Sequence, residues 1–116
     1  MKILIADDDA ALKKVLCRFF SELKHEALCA ATWKEAVDLL EQALPDCVLL
    51  DGDLPDGNSA DFCVRVRGDA RFNKMALVVY SGAHQEGACA ADDCILKGTP
   101  LAELMDRVQK AIEKRR

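Results

Sequence analysis

Strongly apolar stretches stand out along the chain at Ile3-Leu4-Ile5-Ala6, Cys47-Val48-Leu49-Leu50, Ala76-Leu77-Val78-Val79-Tyr80 and Cys94-Ile95-Leu96. Short runs with no polar alternation suit strands buried on both faces. A weaker strand is expected over residues 26–30. Between these runs the spacing changes to the helical period. Residues 10–24 place Leu12, Val15, Leu16, Phe19 and Leu23 on one stripe, opposite Lys13, Lys14, Arg18 and Glu22. Thr32-Trp33-Lys34-Glu35 reads as a capping box and opens a helix through about Ala43, which Pro45-Asp46 ends. A short helix near 59–67 turns Phe62 and Val66 inward and Arg65 and Arg67 outward. Thr99 is placed to cap, and Pro100 to begin, a terminal helix with the stripe Leu101, Leu104, Met105, Val108 and Ile112. Lys110, Lys114, Arg115 and Arg116 suit the negative end of its dipole.

Strand–helix alternation with short loops means βαβ units, a parallel sheet and right-handed crossovers. Five strands and about five helices make a three-layer α/β domain. At 116 residues the chain is one domain's worth, so a single unit over 1–116 with no output domain is expected. The net charge of −4 argues against direct nucleic-acid binding, which needs a basic face. No apolar run approaches the roughly 20 residues that span a bilayer, and the chain reads as soluble and cytoplasmic. The six cysteines, at 17, 29, 47, 63, 89 and 94, form no C-x-x-C pair and read as reduced core residues rather than a disulfide framework.

In such sheets ligands bind beyond the carboxyl ends of the strands. Asp7, Asp8 and Asp9 follow the first strand, Asp51 and Asp53 the third, Ser81 the fourth and Lys97 the fifth. Two unit charges 4 Å apart repel by about 4 kcal/mol at an effective dielectric of 20. Asp7, Asp8 and Asp51 together therefore need a cation or a proton. Hard carboxylate oxygens favour Mg²⁺, which takes few protein ligands and keeps waters. One carboxylate could then attack a phosphoryl group, with Lys97 and the metal neutralising the transferring oxygens. A lone Asp after a strand is ordinarily a cap. Acid pairs after two strands, with Ser and Lys after two more, argue for a site.

At these residues the chain resembles the receiver domain of bacterial two-component response regulators, of the chemotaxis-regulator kind. The matching segments are Ile3 to Asp9, Pro45 to Asp51 with Leu54-Pro55-Asp56-Gly57 behind it, Val78 to Gly82, and Ile95 to Lys97. The resemblance covers essentially the whole chain. It implies a flavodoxin-like sheet of strand order 2-1-3-4-5. It also implies that Asp51 is the phosphoacceptor, charged by a sensor histidine kinase or a phosphotransfer protein. Asp7 and Asp8 then hold Mg²⁺ with Asp51 and the backbone carbonyl of Asp53. Ser81 is the switch hydroxyl, and Lys97 pairs with the acceptor and then the phosphoryl group. Such a domain is a signalling phosphoacceptor, not an enzyme beyond self-phosphorylation and slow autodephosphorylation.

Three departures lie together. Cys94 stands where the family carries an aromatic switch residue, Gly98 rather than proline follows Lys97, and only 16 positions separate Ser81 from Lys97. Residues 82–92 hardly hold a helix, so the fourth helix is expected to be shortened or absent. Gly98 can supply unusual dihedrals to the loop after Lys97.

Two other readings stay open. A phosphorylation-independent pseudo-receiver that serves as an interaction module fits the altered switch region. A haloacid-dehalogenase-like phosphatase fits Asp51-Gly52-Asp53, but its acid pair should follow the lysine, and no cap domain is present to select a substrate.

Overall fold

The computed structural model describes residues 1–82 and 91–115. Five strands form one parallel sheet: β1 (Lys2–Ala6), β2 (Glu26–Ala30), β3 (Cys47–Leu50), β6 (Ala76–Ser81) and β7 (Asp93–Leu96). Their spatial order is β2-β1-β3-β6-β7. Counting only these strands, this is the expected 2-1-3-4-5. The helices are α1 (Ala10–Glu22), α2 (Trp33–Ala43), α3 (Ser59–Arg67) and α4 (Leu101–Arg115), with a 3₁₀ turn at Ala70–Phe72. The shortened or absent fourth helix was expected over 82–92; residues 83–90 of that segment lie outside the described residues.

Alternation along the strands sorts the core into two layers. Leu4, Ala6, Val48, Leu50, Leu77 and Val79 pack against Trp33, Leu40, Phe62 and Val66 of α2 and α3. Ile3, Ile5, Leu49, Val78 and Tyr80 pack against Leu16 and Phe20 of α1 and Leu104, Val108 and Ile112 of α4. Each fully buried Leu or Ile contributes about 1.5–3 kcal/mol.

The buried stripe of α1 centres on Leu16 and Phe20, with Leu12 and Phe19 partly buried beside it. Val15 and Leu23, expected inside, are about half exposed. Arg67 also departs from expectation. It turns back into the molecule and donates to the carbonyls of Phe72 and Met75 and to the Asp92 carboxylate. Asp92 also accepts from the Leu77 amide and from Arg115, tying α3, β6 and α4 together. Thr99 does not cap α4. Its hydroxyl donates to the Leu96 carbonyl at 2.7 Å, and the first helical turn closes on the Pro100 carbonyl instead. The expectation of six reduced cysteines is corrected at one pair: Cys17 of α1 and Cys29 of β2 are joined as a disulfide, while Cys47, Cys63 and Cys94 are in no disulfide.

The segment after β3 is a small antiparallel hairpin. Its strands are β4 (Asp53–Leu54) and β5 (Gly57–Asn58). Leu54 is buried in the core and the Ser59 amide donates to the Gly52 carbonyl, so both feet of the hairpin are fixed. The Asp56 carboxylate at its tip accepts from the amides of Trp33 and Lys34, at 2.8 and 3.1 Å.

Candidate functional site

The parallel sheet brings the carboxyl ends of β1, β3, β6 and β7 to one rim. Asp7 follows β1, and its amide donates to the Ala30 carbonyl of β2. Its Oδ1 accepts from the Asp9 amide at 2.8 Å, and the side chain is almost wholly buried. Asp9 in turn caps α1 by accepting from the Leu12 amide. Asp51 follows β3; its amide is fixed by the Ala6 carbonyl and its Oδ1 accepts from the Gly52 amide at 2.8 Å. Asp8 is exposed beside them. Asp7, Asp8 and Asp51 each bring one carboxylate oxygen within 4.8 Å of the others.

Lys97 enters from the loop after β7. Its Nζ lies 3.0 Å from Asp7 Oδ2 and 3.4 Å from Asp51 Oδ1. Its amide donates to the Ser81 carbonyl at 2.8 Å, which carries the β6–β7 ladder up to the rim. Gly98 next to it adopts φ 97°, a left-handed conformation that suits glycine, as expected for the residue that replaces proline here. Ser81 is the buried last residue of β6. Asp53 lies on β4, two residues beyond Asp51.

Burial, and then the neighbouring Asp7 carboxylate, raise the Asp51 pKa above the usual range; Lys97 and the Gly52 amide oppose that rise only in part. Burial also works against the Lys97 charge, but the hydrogen bonds and Coulomb attraction of Asp7 and Asp51 outweigh it and hold the ammonium above its ordinary value. Lys97 offsets one of the three negative charges. The net −2 left over is what one divalent cation would neutralise. All three donors are carboxylate oxygens, the hard ligands that Mg²⁺ takes in small number beside its waters, and the residues fit such an ion.

This assembly of strand-end acids, hydroxyl and lysine on a five-stranded parallel sheet is that of a receiver. The chain belongs to the response regulator receiver domain family, whose model matches residues 3–109. It is homologous to the receivers of two-component signalling, the phosphoacceptor class. Among individual relatives, it is 27% identical to a probable transcriptional regulator, ycf27, of Guillardia theta, over 97% of this chain and 46% of that protein. It is likewise 27% identical to the phosphate regulon transcriptional regulatory protein PhoB of Klebsiella pneumoniae, over 98% of this chain and 52% of that one. The chain thus spans about half the length of the curated relatives it matches. The response regulator TrrA of Thermotoga maritima, solved in complex with Mg²⁺ and BeF, superposes with a TM-score of 0.85 at 21% identity. That comparison covers 95% of this chain and 97% of that one, and it shows a shared fold. No described helix is long and apolar enough to cross a membrane.

Sequence spacing locates Asp7, Asp8, Asp51 and Lys97 correctly as one cluster. It misses the hairpin tip and Asp56. The only signal there is a Pro-Asp-Gly turn, which says nothing of a contact to another helix.

Proposed function

We propose that Asp51 accepts a phosphoryl group from a phosphohistidine on a sensor kinase or phosphotransfer protein. The Lys97 ammonium bridging Asp7 and Asp51, with Asp8 beside them, is the observation that carries this reading. A carboxylate oxygen of Asp51 attacks phosphorus; the new P–O bond forms as the P–N bond to histidine breaks, and the imidazole leaves with its electron pair. Asp7, Asp8, Asp51 and the Asp53 carbonyl would hold Mg²⁺, which supplies charge neutralisation at the transferring oxygens. Lys97 serves the same end from the other side and follows the phosphoryl group as charge builds on it. Ser81, at the end of β6, supplies a hydroxyl toward a phosphoryl oxygen. Small phosphodonors charge the same residue without a kinase, and the aspartyl phosphate hydrolyses slowly.

The test is incubation with Mg²⁺ and acetyl phosphate, read by intact-protein mass. The wild type gains one phosphoryl group and Asp51→Asn gains none. A wild type that stays uncharged, with beryllofluoride also without effect, would leave a phosphorylation-independent interaction module. Multiple turnover of a phosphomonoester would point instead to a phosphatase.

A further inference from the structure

Three orphan amides open α2, and all three find acceptors. The Glu35 amide donates to the Thr32 hydroxyl at 3.2 Å, a local cap. The Trp33 and Lys34 amides donate to the two carboxylate oxygens of Asp56, a residue more than twenty positions away. Those amides, Trp33 first, hold the Asp56 carboxyl below its ordinary range. Gly57, next in the chain, takes φ 152° and lies against the Trp33 indole. A Cβ there would sit 2.9 Å from Cδ1 and 3.2 Å from Nε1, so no larger residue fits without displacing the ring. The same ring stacks on Phe62, with the ring centroids 4.8 Å apart. The hairpin tip is therefore locked to the start of α2, and its base is the Asp51-Gly52-Asp53 segment of the acid cluster.

We propose that Asp56 is a positioning residue for the metal site: by capping α2 from the hairpin tip, it holds the Asp53 backbone and the Asp51–Gly52 turn in place for a cation. The inference rests on the reading that Asp7, Asp8 and Asp51 bind Mg²⁺. Two turn residues, Pro55 and Asp56, link Leu54 to Gly57, and only two cross-strand pairs hold the strands together, so the hairpin has little rigidity of its own. The Asp56 bonds supply what the short ladder lacks.

Two variants separate positioning from simple helix capping. Thr32→Ala and Asp56→Ala each remove a cap from the same helix, but only the second frees the hairpin. Mg²⁺ is titrated into each full chain by calorimetry, with the fluorescence of Trp33, the single tryptophan, as a second readout. Asp56→Ala is expected to bind Mg²⁺ about tenfold more weakly, the low end of what supporting residues around metal ligands cost. Thr32→Ala keeps wild-type affinity while its melting temperature falls comparably. Asp56→Asn, which retains one acceptor oxygen, lies between and serves if the alanine variant does not fold. Wild-type Mg²⁺ affinity in both Asp56 variants would overturn the proposal and leave Asp56 as a cap alone, with the metal site intact. Absence of Mg²⁺ binding by the wild type would instead remove the metal-site reading, and the proposal with it.

Discussion

Lys97 is held more closely by Asp7 than by Asp51: its ammonium lies 3.0 Å from the first carboxylate and 3.4 Å from the second. The lysine thus occupies, in charge, part of the place a metal ion would fill. Lys97→Met should lower the melting temperature without Mg²⁺, because Asp7 and Asp51 then repel unscreened. Added Mg²⁺ should recover most of the loss and bind more tightly than to the wild type. Charging by acetyl phosphate should slow by about 10²-fold, the usual cost of one donor to a developing oxyanion. Calorimetric melts with and without Mg²⁺ and a mass-based rate measurement check the three outcomes.

Asp51 carries a raised pKa, from burial first and Asp7 second. An acid whose folded pKa exceeds its unfolded one contributes stability below the unfolded pKa, and loses that contribution as pH rises through the folded one. The metal-free wild type should therefore lose this increment on going from mildly acidic to neutral pH. Asp51→Asn should not, and at pH 7 it should melt a few degrees higher, on the order of 2–4 °C. Thermal melts in chelator across that range decide it; a variant that melts lower at pH 7 would contradict the assignment.

Asp92 is 2% exposed in its side chain and answers two arginines, Arg67 and Arg115, at 2.9 and 2.7 Å. Asp92→Ala would leave the Arg67 charge buried and unanswered, and the Leu77 amide without its acceptor. The expected loss is about 3 kcal/mol, the low end for breaking a buried ion pair because Arg115 is partly exposed. Chemical denaturation with an unchanged m-value is the measurement.

Cys47 and Cys63 are buried, and burial pushes the Cys47 thiol far up. Neither should react with an alkylating reagent in the folded protein, and both should label in denaturant. Peptide mapping after each treatment resolves the two sites.

The sheet could be read from sequence because β1, β3 and β6 are covered on both faces, and that burial demands unbroken apolar runs. The acid cluster was legible for a related reason: in a parallel sheet every strand leaves the core at the same edge, so its next residues become neighbours. What escaped has no local period. The β4 and β5 strands are two residues each. Asp56 caps a helix whose sequence already showed a complete local cap in Thr32. Phe20 sits one position past the expected α1 stripe. Pro100 rather than Thr99 closes the first turn of α4, since the Thr99 hydroxyl is spent on Leu96.

The strand order also dictates how the chain must be assembled. β1 lies inside the sheet, between β2 and β3, with Lys2 opposite Glu26 and Ile3 opposite Cys47. Within this domain β1 is thus left with an open edge until β3 is made, and β3 in turn waits for Ala76 of β6. These are long loops to close before any contact rewards them, so folding should be slower than for a helical domain of equal size. During that wait Ile3, Leu4 and Ile5 form an exposed apolar edge. Three charges follow that edge at once, Asp7, Asp8 and Asp9, and like charges there disfavour its pairing with a second copy of the same edge.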